Sequence, residues 1–407
     1  MVGDGSYAVL LWGVYMSYVG ETGPLGISKP MRLHIISQPH TQLTQEYVRC
    51  AYTQKIVKLC KMLVNEGMEV FVYGGEDNET PATLITCVTK KVLSKLGYNS
   101  PETYLNNDYD ITKPLWQYFH SRCISHLREH LLPGDFIGTF SGRADQPIAA
   151  AFPKHRFIEL GIGYSGVFSE FRVYESSAWA NASYGATMGN AAGINGRFYD
   201  TVIPNYFDPN DFPYSEHQLN YYLFMGRMIQ RKGIQIIGEI AKRMPDSGFL
   251  MVGQGAKMEG NKIICDDHTV IEGDNLQYLP PVDAERRGEL MSQAKALICP
   301  TIYLPPFEGV HVEAMMCGTP VLTSPYGCFR ETFEDGVHGF RCHNIKQFVE
   351  GAYAIEKLDR LAIREYAQNK YSMEVVAKQY VKYFQLLQGL DRGGFYEPNE
   401  PISRSTI

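Results

Sequence analysis

The sequence predicts an α/β protein made of two doubly wound, Rossmann-like domains that face each other across a cleft. A chain of 407 residues is too long for one ordinary hydrophobic core and favours two domains. From Met31 onward, short apolar runs alternate with amphipathic stretches, which is typical of buried parallel strands joined by helices. A second series of this kind starts at Tyr221, after the proline-rich segment 204–213.

The first series opens with a complete βαβ pattern. Residues 31–37 (MRLHIIS) and 68–75 (MEVFVYGG) read as strands, and an amphipathic run at 47–65 separates them. Gly67 follows the amphipathic run and predicts a glycine cap at the end of a helix. The pattern continues with a helix at 115–131 and strands at 135–140, 155–161 and 201–205.

The second series contains four predicted strands, at 221–226, 248–255, 296–301 and 319–324. These patterns divide the chain into six predicted segments: an N-terminal extension at 1–30, an N-terminal Rossmann-like domain at 31–205, a linker at 206–218, a C-terminal Rossmann-like domain at 219–370, a helix at 371–390 and a tail at 391–407. The status of the extension stays open, because its apolar segment at 6–19 is too short to span a bilayer and lacks a basic start.

The composition limits which binding partners and which cellular compartment we expect for the protein. The net charge is -6 and the basic residues are scattered, which argues against nucleic acid as a partner and allows at most peripheral membrane contact. The nine cysteines are odd in number and form no CxxC pair. We therefore expect reduced thiols in a cytoplasmic protein.

Two basic residues follow the first strand of the second series, in GRMIQRKG. Arg227 and Lys232 lie between a strand end and a helix, where ligands of doubly wound sheets bind. A guanidinium fork and a mobile ammonium together suit a diphosphate and neutralise it without a metal. The alternative is that these two residues bind no ligand and only form a basic turn exposed to solvent.

A second motif, CPTIYLPPFEGVHVEAMMCGTPVLTS, covers residues 299–324. A strand ends in a proline-rich loop, and a helix begins near Gly309. The free amides of Gly309 and Val310 at this helix start are suited to a phosphate. Glu313 lies one turn further among apolar residues, where a lone carboxylate is costly to bury without a partner. Ribose hydroxyls are the predicted partner.

Four motifs occur in order: VIPNYFDPNDF, GRMIQRKG, PTIYLPPFEGVHVEAMMCGTPVL and GCFRETFEDGVHGF. With them, residues 200–345 resemble the type B (GT-B) glycosyltransferases, and within these the retaining family 4. Residues 31–200 fit the fold but diverge, with PHTQLTQ in place of a glycine pair. The resemblance implies transfer of a GDP- or UDP-linked hexose, with retention of configuration, to a hydroxyl of a glycan, lipid-linked or protein acceptor, without a metal or other cofactor.

The resemblance also implies roles for single residues. The C-terminal domain would bind the donor, with Arg227, Lys232, Gly309 and Val310 at the diphosphate and Glu313 at the ribose. The N-terminal domain would face the acceptor, and the helix at 371–390 would return to it.

One departure from the family concerns catalysis. The family has two glutamates separated by seven residues; the second matches Glu313, and Pro305 stands at the first. Our hypothesis is that Glu308 supplies the missing carboxylate. The alternative is that Glu308 only favours a helix start, where acidic residues are common.

Further candidates come from the acceptor side and from the fourth motif. His40, in SQPHTQ, is the first choice for a catalytic role there, against a purely structural loop histidine. Glu159, Arg172 and Glu175 lie near predicted strand ends, where an acceptor would meet the donor sugar. Glu331 is predicted to help close the site.

Residues 108–110 spell DYD, the pattern with which metal-dependent glycosyltransferases hold a cation. No strand precedes it, so we predict an ordinary loop and no metal site. Two other functions stay open: a sugar-nucleotide hydrolase or epimerase on the same scaffold, and a sugar-nucleotide-binding protein without turnover.

Overall fold

The computed structural model describes residues 30–47, 50–98, 109–188 and 196–390. Two large parallel sheets, each associated with helices, confirm the predicted α/β class. The predicted extension, apart from Pro30, and the tail at 391–407 lie outside the described residues.

The N-terminal half is built on a seven-stranded parallel sheet. Its strands are β1 (Arg32–Ile36), β2 (Glu69–Gly74), β3 (Thr83–Thr86), β4 (Phe136–Thr139), β5 (Arg156–Ile162), β6 (Phe171–Tyr174) and β7 (Thr201–Val202). Its helices are α1 (Ala51–Asn65), α2 (Lys90–Lys95), α3 (Pro114–His130), α4 (Gln146–Ala151) and α5 (Ser177–Met188). The strands lie in the order β3-β2-β1-β4-β5-β6-β7. The chain first adds strands on one side of β1 and then, from β4 onward, on the other side. Ligands of such sheets bind beyond the carboxyl ends of the strands, at the point where this order changes side.

The C-terminal half contains a six-stranded parallel sheet in the order β13-β9-β8-β14-β15-β16. The strands of this half are β8 (Tyr221–Met225), β9 (Gly248–Val252), β10 (Ala256–Glu259), β11 (Lys262–Cys265), β12 (Val270–Glu272), β13 (Leu276–Leu279), β14 (Leu297–Cys299), β15 (Val321–Thr323) and β16 (Gly339–Arg341). The helices that follow β8 are α6 (Ile234–Arg243), α7 (Ala284–Gln293), α8 (Val310–Met316), α9 (Phe329–Thr332), α10 (Ile345–Ala354), α11 (Arg360–Tyr371) and α12 (Met373–Gln388).

Strands β10, β11 and β12 form a separate antiparallel sheet that the sequence pattern did not predict. Most of their residues are exposed or half-buried, as in β10, where no residue is fully buried. Because such short strands lack the continuous apolar run of a parallel core strand, their sequence gives little periodic signal.

The central strands are buried on both faces, as their continuous apolar runs predicted. Leu33 and Ile35 of β1 are fully buried and pack in one cluster with Ile56 of α1. Helix α1 ends at Asn65, and Gly67 follows in the left-handed conformation at φ 82°. A glycine takes that conformation without steric cost, which agrees with the predicted cap.

The chain passes between the halves twice, and the two passages are hydrogen-bonded to each other. The Phe207 amide donates to the Tyr371 carbonyl at 2.9 Å, and the Met373 amide donates to the Phe207 carbonyl at 2.9 Å. Helix α12 then returns to the N-terminal half, where Tyr380 and Phe384 are fully buried in the same cluster as β1 and α1. The second passage therefore leads α12 back onto the first sheet.

All nine cysteines lie within the described residues, where they are buried free thiols. In the part of the chain that the structure describes, no helix combines the length and the hydropathy needed to cross a membrane.

The packing of α12 predicts a large effect of one substitution. The Phe384 ring is fully buried, with its centroid 5.2 Å from that of Phe136. We expect Phe384→Ala to lower the free energy of unfolding by about 3 to 5 kcal/mol, because it leaves a cavity. Chemical denaturation measures this, with Leu386→Ala as control, since Leu386 is 53% exposed on the same helix. Equal losses in the two variants would contradict the docked position of α12.

Candidate functional site

The first predicted motif lies at the carboxyl end of β8. A short 3-10 turn, Gln230–Lys232, leads to Gly233, which adopts φ 81°. A side chain at Gly233 would meet the Pro300 carbonyl oxygen at 2.0 Å. Glycine therefore lets this turn pack against the exit of β14, and Lys232 comes to lie beside the second predicted motif.

Glu308 and Lys232, predicted from separate motifs, form an ion pair. The Lys232 Nζ lies 2.5 Å from Glu308 Oε1. The Tyr303 hydroxyl donates to the other carboxylate oxygen, Oε2, at 3.0 Å. Only 5% of the Glu308 side chain is exposed. Both carboxylate oxygens are thus held in place, and Tyr303 is a member of the site that the motif analysis missed.

The charge state of this pair follows from its surroundings. Burial acts to lower the pKa of Lys232, but the neighbouring Glu308 carboxylate and Tyr303 outweigh it and raise that pKa above its ordinary value. Lys232 is therefore an ammonium at neutral pH. An ammonium has three N–H donors, so hydrogen bonds to other acceptors remain available beside Glu308.

The backbone at Glu308 is strained. Glu308 has φ 58°, in the left-handed region that favours glycine. His311 stabilises this turn, because its Nδ1 lies 2.6 Å from the Glu308 carbonyl oxygen and its Nε2 lies 2.8 Å from Thr332 Oγ1. Burial lowers the pKa of His311 to about 4, so the ring is neutral. Nδ1–H then donates to the carbonyl, and Nε2 accepts from the Thr332 hydroxyl.

The predicted phosphate-binding amides lie next to this turn. Gly309 directly precedes α8, and Val310 is its first residue. In the described part of the chain, neither amide donates to a backbone carbonyl. Their role at a diphosphate stays a prediction.

Glu313 already has a protein partner, so it is not the lone carboxylate that the sequence suggested. Its carboxylate forms an ion pair with Arg287 of α7. Lys58 of α1 is close enough for Glu313 to act on its pKa, which burial lowers and Glu313 raises. No sequence pattern pointed to Arg287, since α7 and α8 meet only in the folded chain. A contact of Glu313 with ribose stays a prediction.

The two other cations of the first motif differ in their environment. Arg227 is exposed and makes no ion pair with any described residue. Arg231 stacks on Tyr303, with its guanidinium carbon 4.1 Å from the ring centroid. Arg227 is therefore accessible from solvent, and its contact with a diphosphate stays a prediction, while Arg231 supports the ring that orients Glu308.

Two acceptor-side candidates have structural roles in the N-terminal half. Glu159 is fully buried and accepts hydrogen bonds from the amides of Phe168 at 2.9 Å and Ser169 at 2.8 Å. Arg172 donates from Nε to the Ser169 carbonyl at 2.6 Å and lies 3.8 Å from Asp200. These contacts hold the loop between β5 and β6, so neither side chain is free to bind an acceptor in this conformation.

His40 is almost completely buried in the loop after β1. Its side chain is 3% exposed, and its ring centroid lies 6.0 Å from that of Tyr109, edge to face. Burial lowers the pKa of His40 to about 4, so the ring is neutral at pH 7. A catalytic role for His40 stays a prediction.

Glu331 connects the two halves. Its carboxylate accepts from the first amides of α5, those of Ser177 and Ala178, both at 2.9 Å. The Ser176 hydroxyl donates to the Pro306 carbonyl at 2.5 Å, two residues before Glu308. These contacts place the start of α5 against the loop that carries Glu308. A role of Glu331 in closing the site stays a prediction.

Glu175 directly follows β6 and forms an ion pair with Lys55 of α1. Lys55 was missed in the sequence, where it looks like any charged residue of an amphipathic helix.

The DYD pattern is only partly described. Asp108 lies outside the described residues, and Asp110 accepts from the Thr112 amide at 2.9 Å within a loop, as predicted. In the ranges given above, no three His, Cys, Asp or Glu side chains are grouped so that they could hold a metal ion.

Comparison with known proteins identifies the family of one segment of the chain. Residues 210–370, which contain the whole Glu308 and Lys232 site, match the family described as "Glycosyl transferases group 1". This segment of the chain belongs to that family. Spore coat protein SA of Bacillus subtilis is 26% identical over 284 residues, which cover 65% of this chain and 66% of that protein. A phosphatidyl-myo-inositol mannosyltransferase of Mycobacterium tuberculosis is 27% identical over 212 residues, which cover 46% of this chain and 54% of the relative. The matched region thus spans about half to two thirds of the length of these two relatives.

Solved structures show the same fold. AviGT4, a glycosyltransferase involved in avilamycin A biosynthesis, superposes with a TM-score of 0.61 at 19% identity, covering 88% of this chain and 98% of its own. Anabaena HepE in complex with UDP-glucose superposes with a TM-score of 0.59 at 15% identity, covering 88% of this chain and 100% of the HepE chain. The predicted GT-B architecture is confirmed.

The strain at Glu308 gives a prediction that is independent of activity. In both Glu308→Gly and Glu308→Ala the ion pair with Lys232 is lost, but only glycine adopts φ 58° without steric cost. We expect Glu308→Gly to be more stable than Glu308→Ala by about 1 kcal/mol. Urea denaturation of the two variants measures the difference, and a more stable alanine variant would contradict the left-handed turn.

Proposed function

We propose that the protein is a retaining, metal-independent glycosyltransferase. It would move a hexose from a GDP- or UDP-linked donor to a hydroxyl acceptor such as a growing glycan. One observation carries this proposal: the ammonium of Lys232 and the carboxylate of Glu308 lie together where β8 and β14 end, inside the segment that matches the family.

The donor diphosphate would lie at the carboxyl edge of the C-terminal sheet. Lys232 would donate to its oxygens with the N–H groups that Glu308 leaves available, and Arg227 would approach from solvent. The amides of Gly309 and Val310 are the further proposed donors, and Glu313 the proposed ribose contact. Fixed positive groups at the leaving phosphate stabilise the charge that grows there during transfer.

Glu308 would take the place of the family glutamate that is missing at Pro305. Its carboxylate is anchored by Lys232 and Tyr303, and a carboxylate held in this way can accept hydrogen bonds from sugar hydroxyls in one defined orientation. The left-handed turn supports this role, because backbone strain persists where the surrounding structure, here His311, overcomes its cost.

The proposed step conserves atoms and charge. The acceptor oxygen forms a bond to the anomeric carbon on the face from which the diphosphate leaves, and the bond from that carbon to the phosphate oxygen breaks. The hydroxyl proton passes to the leaving diphosphate. Protein groups only bind, orient and exclude water, so no covalent intermediate with the enzyme is required.

Known relatives support a nucleotide-sugar donor without specifying it. HepE has been crystallised with UDP-glucose, and a matched mycobacterial relative is named a phosphatidyl-myo-inositol mannosyltransferase. For this chain we propose a nucleoside-diphosphate hexose as donor, a glycan, lipid-linked or protein hydroxyl as acceptor, and the cytoplasm as location.

Donor binding tests the site directly. We expect calorimetric titration to detect binding of UDP or GDP that EDTA does not change. Lys232→Ala should weaken this binding by about tenfold or more, because it removes a charged hydrogen bond and leaves Glu308 unpaired. Lys242→Ala is the control, since Lys242 is exposed on α6. Lack of binding by UDP, GDP and ADP, or binding that needs a divalent cation, would refute the proposal.

Turnover separates a transferase from its alternatives. Glu308→Gln keeps the shape of the side chain and removes its charge, so we expect donor affinity to be kept and sugar transfer to fall at least tenfold. The assay follows glycoside formation and free sugar separately. Free sugar alone would indicate a hydrolase, no turnover would indicate a binding protein, and unchanged transfer would exclude a catalytic role for Glu308.

A further inference from the structure

One arginine, Arg287, fixes the carboxylate of Glu313. Arg287 lies near the start of α7 and its Nη2 donates to Glu313 Oε2, while Glu313 lies in the first turn of α8. The Glu313 side chain is 13% exposed and that of Arg287 is 37% exposed. The carboxylate is therefore largely enclosed, but part of it is still accessible to a ligand.

The backbone around Arg287 is held firmly. The Asp283 side chain caps α7 by accepting from the Arg286 amide at 2.8 Å, and the Asp283 carbonyl accepts from the Arg287 amide at 3.0 Å. A side chain at Gly288 would meet Pro213 Cδ at 2.7 Å, so glycine lets α7 pack closely against the linker between the halves. The start of α7 thus presents Arg287 to α8 from a fixed position.

The hydrogen bonds of Arg287 differ from those of a structural arginine in the same half. Arg360 is buried and donates to the carbonyls of Ala294 at 3.0 Å and Ser292 at 2.6 Å, which connects separate elements. In the described ranges of the chain, the Arg287 guanidinium binds only the carboxylate of Glu313. Apolar residues of similar size often stabilise a protein as well as a buried ion pair does. The contact of Arg287 with Glu313 therefore calls for a role other than stability.

Two further charged groups surround Glu313. Burial lowers the pKa of Lys58 on α1, and Glu313 is near enough to raise it. Burial raises the pKa of Asp211 in the linker, and the carboxylates of Asp208 and Glu313 raise it further. Among the described residues, Arg287 is the cation that forms an ion pair with Glu313. The orientation of the Glu313 carboxylate is therefore set by Arg287.

Glu313 lies one helical turn from the proposed diphosphate site. Its amide donates to the Gly309 carbonyl at 3.0 Å, so the two residues stand on consecutive turns. One turn of a helix is about 5.4 Å long. The ribose of a nucleoside diphosphate is joined to the diphosphate by one ester bond. A diphosphate at the amides of Gly309 and Val310 would therefore bring a ribose within reach of the carboxylate.

We infer that Arg287 is a positioning residue, which orients Glu313 toward the donor ribose and so restricts the donor to ribonucleoside diphosphates. This inference rests on the proposed function. Arg287 binds Oε2 of Glu313, and Oε1 accepts no hydrogen bond from the described residues, so Oε1 is left for a ribose hydroxyl. A carboxylate that is already oriented loses less conformational freedom on binding. A donor without that hydroxyl would leave a largely buried oxygen unpaired.

The test compares nucleotides that differ in one hydroxyl. Calorimetric titration would measure the Kd of UDP, of GDP and of their 2′-deoxy and 3′-deoxy forms, and the readout is the ratio of the deoxy Kd to the ribose Kd. A merely structural role of Arg287 would weaken all nucleotides alike and leave this ratio unchanged. Arg287→Gln removes the charge and Arg287→Lys keeps it. Because Arg287 is 37% exposed, neither variant leaves a buried cavity.

The neighbouring arginine provides a matched control. Arg286 is the preceding residue of α7 and pairs with Glu289 at 2.5 Å, with 49% of its side chain exposed. Arg286→Gln therefore removes one positive charge from the same helix without touching Glu313. Glu313→Gln, which leaves Arg287 in place, checks that the ratio depends on the carboxylate.

For the wild type we expect at least one deoxy form to bind about tenfold more weakly than its ribose form, the loss of one charged hydrogen bond. Arg287→Gln and Glu313→Gln should abolish most of this preference, Arg287→Lys should restore it in part, and Arg286→Gln should keep it. Equal binding of ribose and deoxy forms by the wild type, or an unchanged ratio in Arg287→Gln, would overturn the inference and leave the donor site standing. Absence of binding by every nucleotide would instead refute the proposed function, and the inference with it.

Discussion

The short helix α9 connects the parts of the molecule on which the site depends. Glu331 caps α5 of the N-terminal half, while Thr332 bonds to His311, which in turn holds the Glu308 turn. The Tyr371 hydroxyl, at the second passage between the halves, donates to the Thr332 carbonyl at 2.6 Å. The bonds that His311 and Tyr371 make to Thr332 are buried, where leaving a partner unsatisfied costs about 1 to 3 kcal/mol. Movement of one half against the other would therefore disturb the carboxylate of Glu308.

The same network explains how a glutamate can occupy a left-handed turn. A residue with a side chain is disfavoured there by about 1 to 2 kcal/mol. His311 is neutral because it is buried, and a neutral ring can donate from one nitrogen and accept at the other. It thereby links the Glu308 carbonyl to Thr332, and the carboxylate remains directed at Lys232. The strain at Glu308 is thus offset by the hydrogen bonds of His311 to the Glu308 carbonyl and to Thr332.

Each half contributes one ion pair close to the contact between Ser176 and Pro306. In the C-terminal half, Lys232 and Glu308 lie inside the segment that matches the family. In the N-terminal half, Lys55 and Glu175 lie in sequence that diverges from the family pattern. Under the proposed function, the diverging half would recognise the acceptor, because acceptors differ more than donor diphosphates do.

The sequence by itself determined the α/β class and the positions of most parallel strands, because continuous apolar runs and their amphipathic connections are local signals. It also singled out Arg227, Lys232 and Glu308 through motif spacing. Only the tertiary structure decided which side chains pair with one another. Arg287 at Glu313, Lys55 at Glu175 and Tyr303 at Glu308 are set by how helices and loops meet, and the first two pairs are far apart in sequence. The antiparallel sheet β10–β12 was missed for the related reason that exposed short strands carry no continuous apolar run. Charge pairing depends on distance in space, which local residue patterns do not encode.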